Sequence, residues 1–338
     1  MKRTVYKYFG MLFGAVAMLS GCDVIYDELD PCTQTYDVKF KFDYNILEAD
    51  AFHSQVRSVN VWAFDESGRL AWKGSESGEA LKSPEFSIPV DVAPGRKYSF
   101  IAWCGLQDPV KVAASDPASP TDLGVSLMLD KDSGGNLYSG KEIAGLYHGM
   151  VLDVFLEKKQ NDHVHQTVEI PLMKDSKTVR FMLQHLDGSP IDRNDFEVTI
   201  TDNNSNLNWD NSIADGPWFD YRPWRIDYGQ VTSPERRTVT SVATLLYELS
   251  LSRLRAGHDV YLTVHRNTDN RDIIRIPLVK YLLMVKGHYN EKYSDQEYLD
   301  RMDEFNLLFF IDSNSNWYTA SGIYINDWVV VPPQNEDI

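Results

Sequence analysis

Basic residues are in short supply in this chain: 33 Lys and Arg stand against 49 Asp and Glu, a formal charge of -16 at pH 7. So acidic a surface repels phosphate, which excludes nucleic acid and anionic lipid as electrostatic partners. Long apolar runs are missing too. Behind the N-terminal leader no segment reaches 18 uninterrupted apolar residues, so no membrane-spanning helix is expected. The sequence has no G-x-S-x-G, no H-E-x-x-H and no P-loop, and its three cysteines form no catalytic pairing with histidine. Asp303 and Glu304 are adjacent in sequence, so on a strand they would point to opposite faces, which builds no acid/base pair. The expectation is a protein that is not an enzyme and has no metal and no cofactor beyond a covalent lipid.

What the N-terminus does contain is an export signal. Lys2, Arg3 and Lys7 precede the short apolar run from Phe9 to Ala17, and Leu19-Ser20-Gly21-Cys22 resembles the lipobox of bacterial lipoproteins. That resemblance implies a diacylglycerol on the Cys22 thiol, cleavage before Cys22 and acylation of the new amine. Several acyl chains together give a durable anchor, where one gives only reversible attachment. Removing residues 1–21 deletes three cations and no acid, taking the charge from -16 to -19. Asp23, Asp27, Glu28 and Asp30 then form an acidic tether over residues 22–35. It is similar to the tethers of surface-exposed lipoproteins in Bacteroidetes, and is equally readable as a solvated spacer.

Cys32 and Cys104 remain after processing, in a compartment where disulfides persist. Either they stay as thiols or they form a bridge, which closes a loop of more than 70 residues and contributes roughly 4 kcal/mol on the chain-entropy argument.

Tyr36 to Tyr44 alternates apolar and charged residues, the pattern of a half-buried strand. Further strands are predicted at 56–64, 85–90, 97–103, 149–156 and 166–171, and, in the second half, at 178–183, 196–200, 237–249, 259–265, 271–276, 305–311 and 323–331. Turn signals such as Ala93-Pro94-Gly95 separate them. Pro277 to Lys286 reads as a short helix, and Ser294 with Glu297 as a capping box opening another. The organisation expected is mainly β: a sandwich over residues 36–172, a second over 173–338, and a few short helices.

Two polar patterns tempt a metal reading. His163-x-His165 lacks a carboxylate or thiol partner at a recognisable spacing, and the alternating oxygens of Asp202, Asn204, Asn206, Asn208 and Asp210 have Leu207 where a calcium loop needs glycine. A solvated turn and an Asn-rich hairpin are the expected structures. Trp209, Trp218 and Trp224 sit with Phe219, Tyr221 and Tyr228 among Asp and Asn, a composition that suits either a glycan-stacking platform or a loop pinned to a sheet.

The lipobox, "VIYDELDPC", "APGRKYSFIAWCGL" and the block "IPLVKYLLMVKGHY…QEYLDRMDEFNLLFFID…IYINDWVVV" together resemble the FimB-type fimbrial anchor lipoproteins of Bacteroidetes. The likeness runs from Cys22 to about Val331. It implies an outer-membrane lipoprotein of two transthyretin-like β-sandwiches in tandem that anchors a type V pilus and ends its assembly. It also implies docking of a fimbrial stalk subunit by β-strand complementation, in which main-chain bonds along a sheet edge supply affinity. The docking candidates are Tyr36, Val38, Phe40, Phe42 and Tyr44 in the first strand, with Ile323, Ile325, Trp328 and Val330 in the last. The other reading is a surface glycan-binding lipoprotein using Trp209, Trp218 and Trp224.

Overall fold

The computed structural model describes residues 34–159, 162–232, 241–288 and 291–331. From Gln34 to Lys174 it contains β1 (Gln34–Tyr44), α1 (Phe52–Gln55), β2 (Ser58–Asp65), β3 (Leu70–Ser77), β4 (Ile88–Val90) and β5 (Arg96–Cys104). There follow β6 (Val110–Val112), β7 (Val125–Leu127), β8 (Asp130–Lys131), β9 (Leu137–Ser139), β10 (Tyr147–Leu156) and β11 (Val164–Lys174). The second half holds β12 (Lys177–His185), β13 (Phe196–Asp202), β14 (Asn206–Leu207), β15 (Ile213–Ala214), β16 (Phe219–Tyr221), β17 (Arg225–Thr232) and β18 (Ser241–Leu251). Last come β19 (Tyr261–Arg266), β20 (Arg271–Pro277), α2 (Leu278–Met284), α3 (Asp295–Arg301), β21 (Glu304–Ile311), β22 (Ile323–Ile325) and β23 (Trp328–Val330).

The alternation of β1 survives into three dimensions: Tyr36, Val38, Phe40 and Phe42 are buried while Lys39, Lys41 and Asp43 are only half-buried. The sheet it joins has the order β3-β2-β5-β10-β11-β1-β4. This sheet rolls until its edge strands nearly meet. A Cβ on Gly74 of β3 would lie 3.2 Å from Ile88 Cγ2 of β4. The interior holds Val38, Phe42, Phe52, Val61, Phe100, Ala102, Ile170 and Leu172.

On β2 and β5 the residues between those interior positions are buried as well. Trp62, Phe64, Ile101 and Trp103 face outward and join the core of the second half. Strands buried on both faces read as continuous apolar runs, which is why "VWAF" and "FIAWC" show no alternation.

The second half supplies two six-stranded sheets, β17-β18-β12-β21-β22-β23 and β20-β19-β13-β16-β9-β8, whose apolar sides share one core. A smaller sheet has the order β15-β14-β7-β6. Strands β6 to β9 therefore leave the first half and extend sheets of the second: β7 pairs with β14, and β9 lies parallel to β16. The chain crosses from the rolled sheet to the next at Asp175 and Ser176, between β11 and β12.

Ser294 caps α3 by accepting a hydrogen bond from the Glu297 amide at 3.2 Å. The Glu297 carboxylate accepts from Arg301 Nε at 2.9 Å, so only half of the expected capping box is used.

Candidate functional site

Strand direction orients the molecule. β1 runs parallel to β11, so Gln34, the first described residue, lies beside Val164 at the end of the rolled sheet farthest from the Asp175–Ser176 crossing. β12 and β21 run parallel away from that crossing, and their sheet ends in β17 on one side and β23 on the other. Thr232 of β17 and Val330 of β23 point to the far end of this second half.

Among the described residues these two strands are the margins of that sheet. β1 is not a margin of its own: it is flanked by β11 along eight consecutive pairs and by β4 at Tyr36 to Val38, and Ala51 N–H donates to Phe42 O at 2.9 Å beyond that. The expectation that Tyr36 to Tyr44 forms an edge is corrected on this ground. Tyr36, Val38, Phe40 and Phe42 fill the rolled sheet's interior, and Tyr44 lies under the Arg301 guanidinium at 4.1 Å. Ile323 and Ile325 are also interior, since β22 sits between β21 and β23. Only Trp328 and Val330 belong to an edge strand. Beside them Val329 is 52% exposed, and Tyr324 and Val331 are exposed too.

The margin missed in the sequence is β17. Pro223 and Gly229 punctuate its run Arg225-Ile226-Asp227-Tyr228-Gly229 and give it the composition of a loop. Alternation over Arg225 to Tyr228 was the available signal.

Cys22 and Cys32 lie outside the described residues. Cys104 ends β5 inside the rolled sheet, fully buried, and burial pushes its thiol well above the ordinary range. A thiol so disposed is no nucleophile at neutral pH.

The three glycan candidates are not brought together as one exposed face. Trp209 packs against the core and its carbonyl accepts from His148 Nε2 at 2.9 Å, while Trp224 is half-buried. Trp218 is 55% exposed and stacks on His258 at 5.7 Å between ring centroids. Phe219 and Tyr221 are core residues.

The Asn-rich stretch is an internal hub. Asn204 Oδ1 accepts from Tyr221 OH at 2.7 Å, Asn204 Nδ2 donates to Arg253 O at 3.0 Å, and buried Asp202 faces His258 Nε2 at 3.1 Å. Desolvation raises the Asp202 carboxyl against the pull of its partners. Short Asn and Asp side chains satisfy backbone groups that irregular chain leaves unpaired. His165 of the His-x-His pair lies within 3.1 Å of Thr35 Oγ1 on the exposed side of β1.

A further buried polar cluster carries no sequence motif, because its members come from distant segments. At the crossing Asp175 is fully buried and accepts from Asn211 Nδ2 at 2.9 Å. Arg253 grips Asp300 through two bonds of 2.8 Å and also donates to the Asn211 carbonyl. Lys177 Nζ donates to Asp300 O at 2.6 Å, and Lys174 pairs with Asp303 at 3.2 Å. Desolvation pushes Asp175 up to about 7 against the opposing effects of Asn211, Arg253 and Lys177, and lowers Lys177 to about 8. Such a network rigidifies the crossing only while every charge keeps its partner.

Comparison with known proteins matches residues 29–332 to the family described as "Fimbrillin-A associated anchor proteins Mfa1 and Mfa2". The chain is 21% identical over 320 residues to the minor fimbrium anchoring subunit Mfa2 of Porphyromonas gingivalis, covering 92% of this chain and 90% of that one. Among solved structures, a DUF1812 protein of Bacteroides thetaiotaomicron, described as a candidate for polysaccharide binding, superposes with a TM-score of 0.75 at 30% identity, covering 89% of this chain and 99% of that one. The fimbrial anchor protein Mfa2 of P. gingivalis superposes with a TM-score of 0.63 at 16% identity over 89% and 99% of the two chains, which shows a shared fold. With the family match spanning nearly all the described strands, the chain belongs to the fimbrillin-A associated anchor proteins, a family that holds fimbriae at the cell surface.

Proposed function

We propose that this chain is an outer-membrane lipoprotein, acylated on Cys22, that anchors a fimbria and ends its assembly by docking the stalk subunit through β-strand complementation. The observation that carries the reading is polar opposition. The tether would enter at the Gln34 end of the rolled sheet, while β17 and β23 are, among the described residues, the edge strands of a second-half sheet, their chains running to its far end. A lipid at one pole and pairable backbone at the other is what a link between bilayer and fibre needs. An open edge templates a further strand through its unpaired N–H and C=O groups, and exposed Val329 and Tyr324 flank the β23 margin. Its shortness limits indiscriminate pairing.

Cys22→Ala is expected to shed assembled filaments into the medium without stopping their polymerisation, read by immunoblot of cells against supernatant. Filaments that stay on the cells would sink the lipid half of the reading. The docking half has its own test: a cysteine at Val329 should cross-link to a cysteine-bearing stalk subunit in assembled fimbriae, and one at Lys39 of β1 should not. Equal cross-linking from both sites, or none from Val329 with filaments still anchored, would remove β23 as the docking margin.

A further inference from the structure

Parallel pairing is the exception in this fold. Among the described residues it joins β1 to β11, β12 to β21 and β9 to β16, and the other ladders are antiparallel. The first two are consecutive along the chain, separated only by Asp175 and Ser176. In the first, the strand entered from the tether lies beside the strand that leads to the second half.

Resting on the anchor reading above, we propose that the β1–β11 ladder is a shear clamp, which passes the pull of the fibre from the second half of the protein to the lipid. Tension draws Gln34 toward the membrane and Lys174 away from it. Because the strands are parallel and these are their opposite ends, the pull slides one strand along the other instead of peeling them apart. In sliding, the bonds from the Gln34–Val164 pair to the Lys41–Pro171 pair share the force and must fail together. Peeling from one end would break them one at a time.

The side chains add to the resistance. A slip by one residue turns Tyr36, Val38, Phe40 and Phe42 to the opposite face, and a slip by two drags each out of its place in the interior. Cross-strand bonds also oppose sliding: Thr167 Oγ1 donates to Asp37 Oδ1 at 2.9 Å and Thr35 Oγ1 donates to Val164 O at 3.3 Å, while the Tyr36 hydroxyl ties β1 to the residue after β10 by donating to the Glu157 carbonyl. Beyond the crossing, β12 and β21 repeat the arrangement from the Thr178–Glu304 pair to the His185–Ile311 pair.

Single-molecule force spectroscopy tests the clamp on the mature, unacylated full chain carrying Cys32→Ser. One handle is coupled to Cys22, and the other either to a cysteine appended after Ile338 or to Asp162→Cys. Asp162 is exposed and lies at the Val164 end, so the second arrangement peels β1 from β11. The force that frees β1 is expected to be several-fold higher in the end-to-end pull than in the peel. Equal forces overturn the clamp. Because both pulls use the isolated protein, shed filaments from Cys22→Ala together with equal forces would overturn the clamp alone, whereas retained filaments would overturn the anchoring it serves whatever the forces.

Discussion

Arg253→Ala is expected to destabilise the protein by about 3–5 kcal/mol, the usual cost of leaving one member of a buried ion pair alone. Asp300 is nearly inaccessible, and without the guanidinium its carboxylate keeps, among the described residues, only the Gln296 amide at 3.0 Å. The Asn211 carbonyl loses a donor as well, and Asp175 loses a cation that opposes its desolvation. The loss therefore depends on pH. Asp175 is raised from 3.8 to about 7 in the folded state, so between those values the folded chain holds a proton that the unfolded chain has released. Stability contributed by this group is therefore present below that window and lost as pH rises through it. Removing Arg253 raises Asp175 further and extends the loss to higher pH. Urea midpoints for wild type and variant from pH 5 to pH 9 provide the measurement. A gap between them that narrows with rising pH would contradict the assignment. Arg253→Met combined with Asp300→Leu should recover much of the stability, because replacing both partners leaves no orphaned charge. Lys41→Ala, which breaks a pair at the solvent surface, is the control and should leave the midpoint unchanged.

Trp103→Ala is the second large effect, again about 3–5 kcal/mol, from loss of buried aromatic area plus the cavity left behind. Trp103 is fully buried on the outer face of the rolled sheet. Its Nε1 donates to the Leu123 carbonyl at 3.1 Å, and its ring lies 4.5 Å from that of His148. The residue thus joins β5 to the excursion that carries β6 and β7 into the second half's sheets. Its removal should lower hydrogen-exchange protection across β6 and β7 before it affects β1 and β11. His148 supplies a separate readout. Burial holds its imidazole down at about 4, so stability from keeping it neutral is present above its ordinary 6.5 and fades as pH falls toward 4. A cavity beside the ring admits water, and its titration followed by NMR should move upward. Loss of protection spread evenly over the whole rolled sheet would show that Trp103 serves the interior and not the connection.

The expectation of a mainly β chain held, and most strands fell close to their predicted places. The strand predicted at 36–44 appears as Gln34–Tyr44, and the helix predicted from Ser294 is capped by that residue. Short strands escaped. β6 to β9 have two or three residues each, too few for periodicity to register, and they form because sheets of the second half lie alongside them. The crossing escaped for a related reason. Asp175, Lys177, Asn211, Arg253 and Asp300 carry no spacing that marks them as partners, since each pair closes over dozens of residues.

Alternation is written into neighbouring residues, so which side of β1 or β12 turns inward could be read from letters alone. Being an edge is different. It depends on what lies next to a strand, and β1 finds its neighbour about 130 positions away in β11. Chain folding, through contacts that no local pattern encodes, buried the first strand as an interior member and left β17 and β23 at the margins of their sheet among the described residues.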